Sequence, residues 1–324
     1  MTDLVAVGAG RMGRGIALVA AMAGQDIVLL DFKARNTDTQ HSLLDAARAE
    51  ISDTLDLLIG LSVLSETAKP DIIGRISFAS LQQAPQHLAT AKIIFEGVPE
   101  TLEAKKDAFN RVSEMVTEDC VISSTTSTIL ADDLAAFVTR PERFLNGHWL
   151  NPAYLIPLVE VSPADQTSQQ TVDHFIEVLQ SLGKSPVLCS ASPGYIIPRI
   201  QAVAMNEAAR MVEEGVATPE DIDRAVRLGF GIRYATMGLV EFIDWGGVDI
   251  LYRASDYLSD ALKDPRYAAP DIVNEKMQAG DLGLNHGKGF YDFSNIDPTA
   301  FRQEKLATFV ALLKHMDLLP KIAD

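Results

Sequence analysis

The chain has 324 residues, enough for two domains, and its 47% hydrophobic and 22% charged residues are typical of a globular protein with a large core. Its formal charge of −16 at pH 7 disfavours nucleic acid and anionic membrane surfaces as partners. Two cysteines, Cys120 and Cys189, are too few for a disulfide framework and lack the spacing of a zinc site. The sequence shows neither a signal-peptide pattern nor an apolar run of about 18 residues, so we expect no membrane span. Because of the few cysteines and their spacing, we expect a cytoplasmic protein without a metal.

Short apolar runs alternate with longer amphipathic stretches over residues 1–190, which is typical of βαβ units. The predicted strands are Leu4–Val7, Asp26–Leu30, Lys92–Phe95, Cys120–Ser123, Phe144–Gly147, Leu158–Val161 and Pro186–Cys189. Apolar residues at helical spacing predict helices over Thr37–Ile59, Thr101–Met115 and Gln166–Ser181. The first domain is therefore predicted to be α/β, with a doubly wound and mainly parallel sheet.

The segment Ser190–Gly194 holds small residues with one Pro and one Gly, and it predicts the boundary of a second domain over residues 191–324. Beyond it the strand pattern ends, and helices are predicted over Ile196–Gly215, Pro219–Leu228, Ala235–Phe242, Gly247–Leu262, Pro270–Ala279 and Thr299–Leu318. This domain is predicted to be all-α. Its helices carry more apolar residues than one partner layer can cover, which predicts a homodimer.

A glycine-rich turn, Gly8-Ala9-Gly10-Arg11-Met12-Gly13, directly follows the first predicted strand and opens a helix. In this context the glycines permit a tight turn and a close approach to a pyrophosphate, so the pattern predicts a Rossmann domain. Asp31 ends the second strand, where a carboxylate binds the adenosine ribose and repels the extra phosphate of NADP. We therefore predict NAD as the cofactor, bound by Gly8, Gly10, Arg11, Met12, Gly13 and Asp31. The nearby Lys33 and Arg35 keep NADP open, and a helix-capping role for Asp31 is the structural alternative.

His148 lies in the strand-like run Asn146–Pro152 and has the chemistry of a general base near neutral pH. Glu160 lies among apolar residues of the following run, where a buried carboxylate costs free energy unless it is paired. An imidazole N–H is its natural partner, and the pair would fix the tautomer and stabilise the imidazolium. Taken alone, His148 is more typical of a core histidine, but the dinucleotide motif in the same domain favours a base.

The order of several motifs resembles the L-3-hydroxyacyl-CoA dehydrogenase family over residues 3–293. These motifs are the glycine turn, Ser123–Ser127, Gly147–Pro152, Pro157–Val161, Pro193–Tyr195 and Gly287–Tyr291. The resemblance implies an NAD-dependent oxidation of a secondary alcohol and a helical domain that forms dimer contacts. It implies His148 as the base, Glu160 as its orienting partner, Ser127 as the hydroxyl that bonds the substrate oxygen and Asn151 as an active-site amide. It also implies that Glu96 and Lys105 lie beside the cofactor.

Two positions depart from the family pattern. Pro198 stands where the family commonly has an Asn that faces the active site. The segment Gly229–Gly238 resembles the version in L-gulonate and L-carnitine dehydrogenases, which oxidise free hydroxy acids. Arg233 in that segment has the chemistry of a carboxylate clamp, with a helix-end or interface ion pair as the alternative. The expected substrate is a short L-3-hydroxyacyl-CoA such as 3-hydroxybutyryl-CoA, and a free 3-hydroxy acid is the alternative.

Two other classes of protein share parts of this pattern. The β-hydroxyacid dehydrogenases share the glycine turn but use a lysine base from the inter-domain helix, and no Lys occurs between Lys184 and Lys263. A non-catalytic NAD(H)-binding structural protein has no need of a base. The combination of His148, Glu160 and Ser127 therefore favours the enzyme.

Overall fold

The computed structural model describes residues 3–320, and the chain divides into two compact units, Met1–Met205 and Asn206–Asp324. The predicted domain boundary near residue 190 stays a prediction. Within the described residues, no helix is long and apolar enough to cross a membrane.

The first unit is built on an eight-stranded sheet with the strand order β3-β2-β1-β4-β5-β6-β7-β8. The strands are β1 Leu4–Val7, β2 Ile27–Asp31, β3 Ile76–Ser80, β4 Ile93–Glu96, β5 Val121–Ser124, β6 Phe144–Trp149, β7 Leu158–Pro163 and β8 Ser185–Leu188. All neighbouring pairs run parallel except β6 and β7, which are antiparallel. The predicted α/β class and mainly parallel sheet are confirmed, and β3 is a strand that the sequence pattern did not indicate.

Helices cover both faces of this sheet. They are α1 Arg11–Met22, α2 Thr37–Gly60, α3 Lys69–Gly74, α4 Ala84–Leu88, α5 Leu102–Met115, α6 Ala131–Ala135 and α7 Gln169–Ser181. Side-chain caps fix the residues at which three of these helices begin. Asn36, Thr101 and Ser168 each accept a hydrogen bond from a backbone amide of the first turn. The cap at Ser168 explains why α7 begins later than predicted.

The central strands are apolar on both faces because both faces are covered. Leu4 and Ala6 of β1 belong to one core cluster with residues of α1, α2 and α7, whereas Val5 and Val7 belong to a second cluster with residues of α4, α5 and α6. Alternation along one strand thus supplies two cores. The carboxyl ends of β1, β2, β4 and β5 are left free to carry loops.

The next helix, α8 Ile197–Glu213, crosses the division between the units. The second unit then contains α9 Pro219–Ala225, a π-helix over Val226–Gly231, α10 Ile232–Tyr234, α11 Leu239–Gly246, α12 Val248–Leu262, α13 Asp271–Ala279 and α14 Pro298–His315. The predicted all-α class is confirmed. The helix predicted over Ala235–Phe242 lies later, because the amide of Gly238 bonds the Glu241 carboxylate and begins α11 there.

The late glycine motif has a structural role in the second unit. Asp244 is buried and accepts hydrogen bonds from the amides of Phe290 at 2.9 Å and Tyr291 at 2.8 Å. A Cβ at Gly289 would lie 2.1 Å from the Asp244 carboxylate. Only glycine therefore fits where the loop wraps this carboxylate.

Candidate active site

The glycine turn between β1 and α1 forms a cradle that side chains would fill. Gly8 has a φ of +106°, and a Cβ there would lie 2.7 Å from the Gly97 carbonyl oxygen. A Cβ at Gly13 would lie 1.9 Å from the Gly8 oxygen, so this glycine lets α1 pack against the strand end. Among residues 3–320 no side chain caps Gly10 at the start of α1, which leaves the first-turn amides for an anion. The turn therefore fits the pyrophosphate of a dinucleotide.

A cleft of about 1280 Å³ opens beside this turn at the carboxyl ends of the strands. Of the residues predicted for the site, the cleft is lined by Gly8, Gly10, Arg11, Met12, Asp31, Ser127, His148 and Asn151. Residues from the glycine turn, the end of β2, the loop after β5 and the end of β6 thus meet in one cavity. This arrangement suits a cofactor and a second small molecule side by side.

Asp31 is the last residue of β2 and lies in the wall of the cleft. Its side chain is nearly buried, and its Oδ2 accepts a hydrogen bond of 2.7 Å from Arg35 Nε. Lys33 and Arg35 line the same wall. One carboxylate oxygen is therefore engaged by Arg35, and the other is available to ribose hydroxyls.

His148 and Glu160 face each other across the antiparallel strands β6 and β7, where their Cα atoms are register partners. Nδ1 of His148 lies 2.7 Å from Oε2 of Glu160, and both side chains are buried. The other oxygen, Oε1, accepts hydrogen bonds from the amides of Ile196 at 2.8 Å and Ile197 at 2.9 Å, at the start of α8. Because a carboxylate can only accept, Nδ1 carries the proton. Nε2, which has no hydrogen-bond partner in the described part of the chain, can then act as an acceptor.

The loop after β5 carries Ser127, which is exposed in the cleft. A glutamate that the sequence interpretation left out, Glu100, holds this loop: its Oε1 accepts from the amides of Ser127 at 2.8 Å and Thr128 at 3.3 Å and from the Thr126 hydroxyl. Partial burial acts to raise the pKa of Glu100, but the Thr126 hydroxyl, the Lys105 ammonium and the Ser127 amide outweigh it and hold this pKa below its usual range. Glu100 is therefore an anion in the wall of the cleft.

Glu96 and Lys105, both predicted to lie beside the cofactor, are fully buried and are not among the residues that line the cleft. Lys105 Nζ lies 3.0 Å from Glu96 Oε2 and 3.3 Å from Glu100 Oε2. Glu96 also accepts from the Ser124 hydroxyl at 2.7 Å, while burial raises its pKa. Lys105 thus connects a buried carboxylate to the one that holds the Ser127 loop.

The side-chain amides that line the cleft differ from the predicted set by one addition. Pro198, which replaces an expected Asn, lines the cleft together with Gln201, one helical turn further along α8. Gln201 is not among the predicted site residues, although its spacing of three residues from Pro198 indicates the same helix face. Asn151 and Gln201 are thus two side-chain amides at the cleft wall.

Comparisons with known proteins identify the family. Residues 3–192 match the model described as 3-hydroxyacyl-CoA dehydrogenase, NAD binding domain, and residues 194–293 match the 3-hydroxyacyl-CoA dehydrogenase, C-terminal domain. The chain belongs to the 3-hydroxyacyl-CoA dehydrogenase family. It is an NAD-dependent oxidoreductase, and the predicted cofactor and resemblance are confirmed.

Several known proteins match this 3-hydroxyacyl-CoA dehydrogenase family member over most of its length. The chain is 34% identical over 287 residues, 89% of its length and 98% of the relative's, to a probable 3-hydroxybutyryl-CoA dehydrogenase of Deinococcus radiodurans. The crystal structure of a 3-hydroxyacyl-CoA dehydrogenase from Archaeoglobus fulgidus matches 98% of this chain and 100% of its own, with 30% identity and a TM-score of 0.78. A 5-formyl-3-hydroxy-2-methylpyridine 4-carboxylate 5-dehydrogenase of Mesorhizobium japonicum is 28% identical over 316 residues, 97% of this chain and 98% of its own.

Arg233, the predicted carboxylate clamp, belongs to α10 in the second unit of this dehydrogenase. Its guanidinium is exposed and lies 5.3 Å from the centre of the Phe242 ring. It forms no ion pair within residues 3–320. The alternative of an intramolecular ion pair therefore has no support here, and the clamp stays a prediction.

Proposed function

We propose that this dehydrogenase oxidises the hydroxyl of a short L-3-hydroxyacyl-CoA, such as 3-hydroxybutyryl-CoA, to the 3-oxo product, with His148 as the general base. The observation that carries the proposal is the 2.7 Å contact of His148 Nδ1 with the buried Glu160 carboxylate, in the cleft that the glycine turn also lines. The relatives named as 3-hydroxybutyryl-CoA dehydrogenases support this substrate class.

NAD, when bound, supplies the acceptor for the hydride that leaves the carbinol carbon. The Nε2 atom of His148 accepts the hydroxyl proton, because Nδ1 already carries a proton that it donates to Glu160. Glu160 then faces an imidazolium and stabilises its charge. The two amides of Ile196 and Ile197 keep the carboxylate in place during this transfer.

Ser127, Asn151 and Gln201 are proposed to bind the oxygens of the substrate. All three have side-chain hydrogen-bond donors and line the cleft that contains His148. Pro198 has no donor at the position where the family commonly has an Asn. We assign the missing amide function to Gln201, because it occupies the same helix face. Asp31 is proposed to bind the adenosine ribose through the oxygen that Arg35 does not engage.

The replacement of His148 tests the proposed base. His148→Ala is expected to lower kcat for 3-hydroxybutyryl-CoA by about 100-fold or more, because no other base replaces Nε2. The dissociation constant for NADH, measured by the fluorescence of its reduced nicotinamide, should stay at the wild-type value. His174→Ala, on the exposed face of α7, is the matched control and should behave as wild type. A His148→Ala enzyme with wild-type turnover and pH dependence would refute the assignment.

A free hydroxy acid is the second candidate substrate, and the name of one relative and the chemistry of Arg233 favour it. The Mesorhizobium japonicum relative, whose name specifies a pyridine carboxylate, matches 97% of this chain. Arg233 is an exposed cation without an ion pair in the described chain, and its chemistry suits a carboxylate.

Arg233→Met separates the two substrates. If Arg233 binds a free carboxylate, the KM for a free 3-hydroxy acid should rise by about 100-fold, as a charged hydrogen-bonded pair worth about 1.5–3 kcal/mol is lost. The KM for 3-hydroxybutyryl-CoA should then change little. Arg227→Met, which removes another exposed cation nearby in sequence, is the control. Equal KM values for wild type and Arg233→Met on both substrates would remove Arg233 from the substrate site.

A further inference from the structure

Tyr195 packs directly on the imidazole of His148. The two ring centres lie 5.2 Å apart and the ring planes are inclined by only 17°, which is an offset stack. Tyr195 is 5% exposed, so its ring shields one face of the imidazole from solvent. The stack limits the rotation of the His148 imidazole about its Cβ–Cγ bond, whereas the hydrogen bond to Glu160 holds only one atom of the ring.

The hydroxyl of Tyr195 connects two other parts of the cleft. It donates a hydrogen bond of 3.1 Å to the carbonyl of Thr126, directly before Ser127. It also accepts a hydrogen bond of 2.9 Å from the amide nitrogen of Asn146, two residues before His148 on β6. One buried side chain thus spans the strand that carries the base and the loop that carries Ser127.

The backbone of Tyr195 is held in an uncommon conformation. Its φ is +46°, a left-handed value that is rare for a bulky residue and persists only where surrounding contacts impose it. The next two amides, of Ile196 and Ile197, are the donors to Glu160 Oε1. The left-handed turn therefore directs the Tyr195 ring to one partner of the His148–Glu160 pair and the following amides to the other.

We propose that Tyr195 is a positioning residue that fixes the plane of the His148 imidazole and couples it to the Ser127 loop. This inference rests on the proposed function of His148 as the base. Burial raises the pKa of the Tyr195 phenol, so the hydroxyl stays neutral and its role is to hold neighbours rather than to exchange protons. A fixed plane keeps Nε2 on the line to the substrate hydroxyl, and a fixed loop keeps the Ser127 hydroxyl at the other side of the same oxygen.

Two substitutions separate the ring from the hydroxyl. Tyr195→Met removes the ring, and its flexible side chain fills the space that is left. Tyr195→Phe retains the ring and removes only the hydrogen bonds to Thr126 and Asn146. Tyr257→Met, at a residue of α12 that is 71% exposed, is the matched control. Each protein is measured with NAD bound, for kcat and KM with 3-hydroxybutyryl-CoA and for the downfield proton resonance of His148 Nδ1–H.

Tyr195→Met is expected to lower kcat by about tenfold, the scale of one aromatic pair, and to broaden the Nδ1–H resonance beyond detection. Tyr195→Phe should retain that resonance and keep kcat within about threefold of wild type, while the KM for substrate rises by roughly fivefold as the Ser127 loop loosens. The control should match wild type in all three measurements.

The inference is overturned if Tyr195→Met retains wild-type kcat and a sharp resonance, or if Tyr195→Phe loses the resonance as completely as Tyr195→Met does. If Tyr195→Met does not fold, the Phe variant still decides, because a wild-type KM there removes the coupling to the loop. The resonance is assigned by its absence in His148→Ala and does not depend on turnover. An active His148→Ala enzyme would therefore refute the proposed base while the resonance still reports the effect of Tyr195.

Discussion

Glu160→Gln is the substitution whose outcome the hydrogen-bond geometry specifies most closely. A glutamine has the same shape as the glutamate but carries one acceptor oxygen and one donor nitrogen. In the wild-type enzyme both carboxylate oxygens accept: Oε1 from the amides of Ile196 and Ile197, and Oε2 from His148 Nδ1. The glutamine oxygen can satisfy only one of these sides.

The cheaper orientation places the glutamine oxygen against the two backbone amides, because the opposite orientation buries three donors without acceptors. The glutamine nitrogen then donates to His148 Nδ1, which must give up its proton, and the proton moves to Nε2. A protonated Nε2 cannot accept the substrate proton, and the charge that stabilises an imidazolium is also gone. We therefore expect kcat to fall by about 10³–10⁴-fold, or about 4–5.5 kcal/mol of transition-state stabilisation.

The assay is NADH formation from saturating 3-hydroxybutyryl-CoA, with the NAD dissociation constant measured in parallel. Glu177→Gln, on the exposed side of α7, is the matched control and should keep wild-type kcat. A Glu160→Gln enzyme that keeps kcat within about tenfold of wild type would refute the tautomer reasoning. So would a variant whose loss of kcat is matched by an equal loss of NAD affinity.

Three further predictions follow from other contacts. Asp31→Ser should raise the dissociation constant for NAD by about tenfold and reduce the preference of the enzyme for NAD over NADP, because Arg35 remains to attract a phosphate. Titrations in which the wild-type enzyme prefers NADP would contradict this prediction. The enzyme should be a homodimer in light scattering, at twice the chain mass of 35.2 kDa, because α8 has no buried residue in the single chain; a monomer at micromolar concentration would contradict it. Burial raises the pKa of Cys120 to about 12, so near neutral pH a thiol reagent should label Cys189 well before Cys120, and equal rates would show that Cys120 is accessible.

Most of the fold could be predicted because both of its layers leave strong patterns in the sequence. Buried parallel strands are continuous apolar runs, and the helices between them have one apolar face. Among the strands, the exception is β3, Ile76–Ser80, where only Ile76 and Ala79 are buried and the remaining residues are small or partly exposed. A short strand at the sheet edge needs few apolar residues, so its pattern resembles a loop.

Residues of the site could be predicted where the residue type and its place in the sequence were enough to identify them. Residues whose role depends on the direction of a side chain could not. His148 and Glu160 could be paired from residue type and burial alone. The sequence could not show which of Glu96 and Glu100 lines the cleft, because both lie near the end of β4. The turn between them directs Glu96 inward and Glu100 to the cleft. The contact of Tyr195 with His148 depends on the left-handed turn before α8, which no local pattern encodes. Gln201 could have been found from its spacing of three residues from Pro198.

Glu96 and Glu160, two fully buried carboxylates of the first unit, differ in what neutralises them, and this difference separates their roles. Glu96 faces Lys105 Nζ at 3.0 Å, and Lys105 also contacts Glu100, so the pair suits a fixed support for Glu100 and the Ser127 loop. Glu160 faces the imidazole that takes up a proton in the proposed reaction, and two amides and one N–H are the donors to its carboxylate. A buried anion without a full countercharge favours the arrival of a proton on its neighbour. The same burial that makes Glu160 costly in the folded enzyme therefore strengthens His148 as the proposed base.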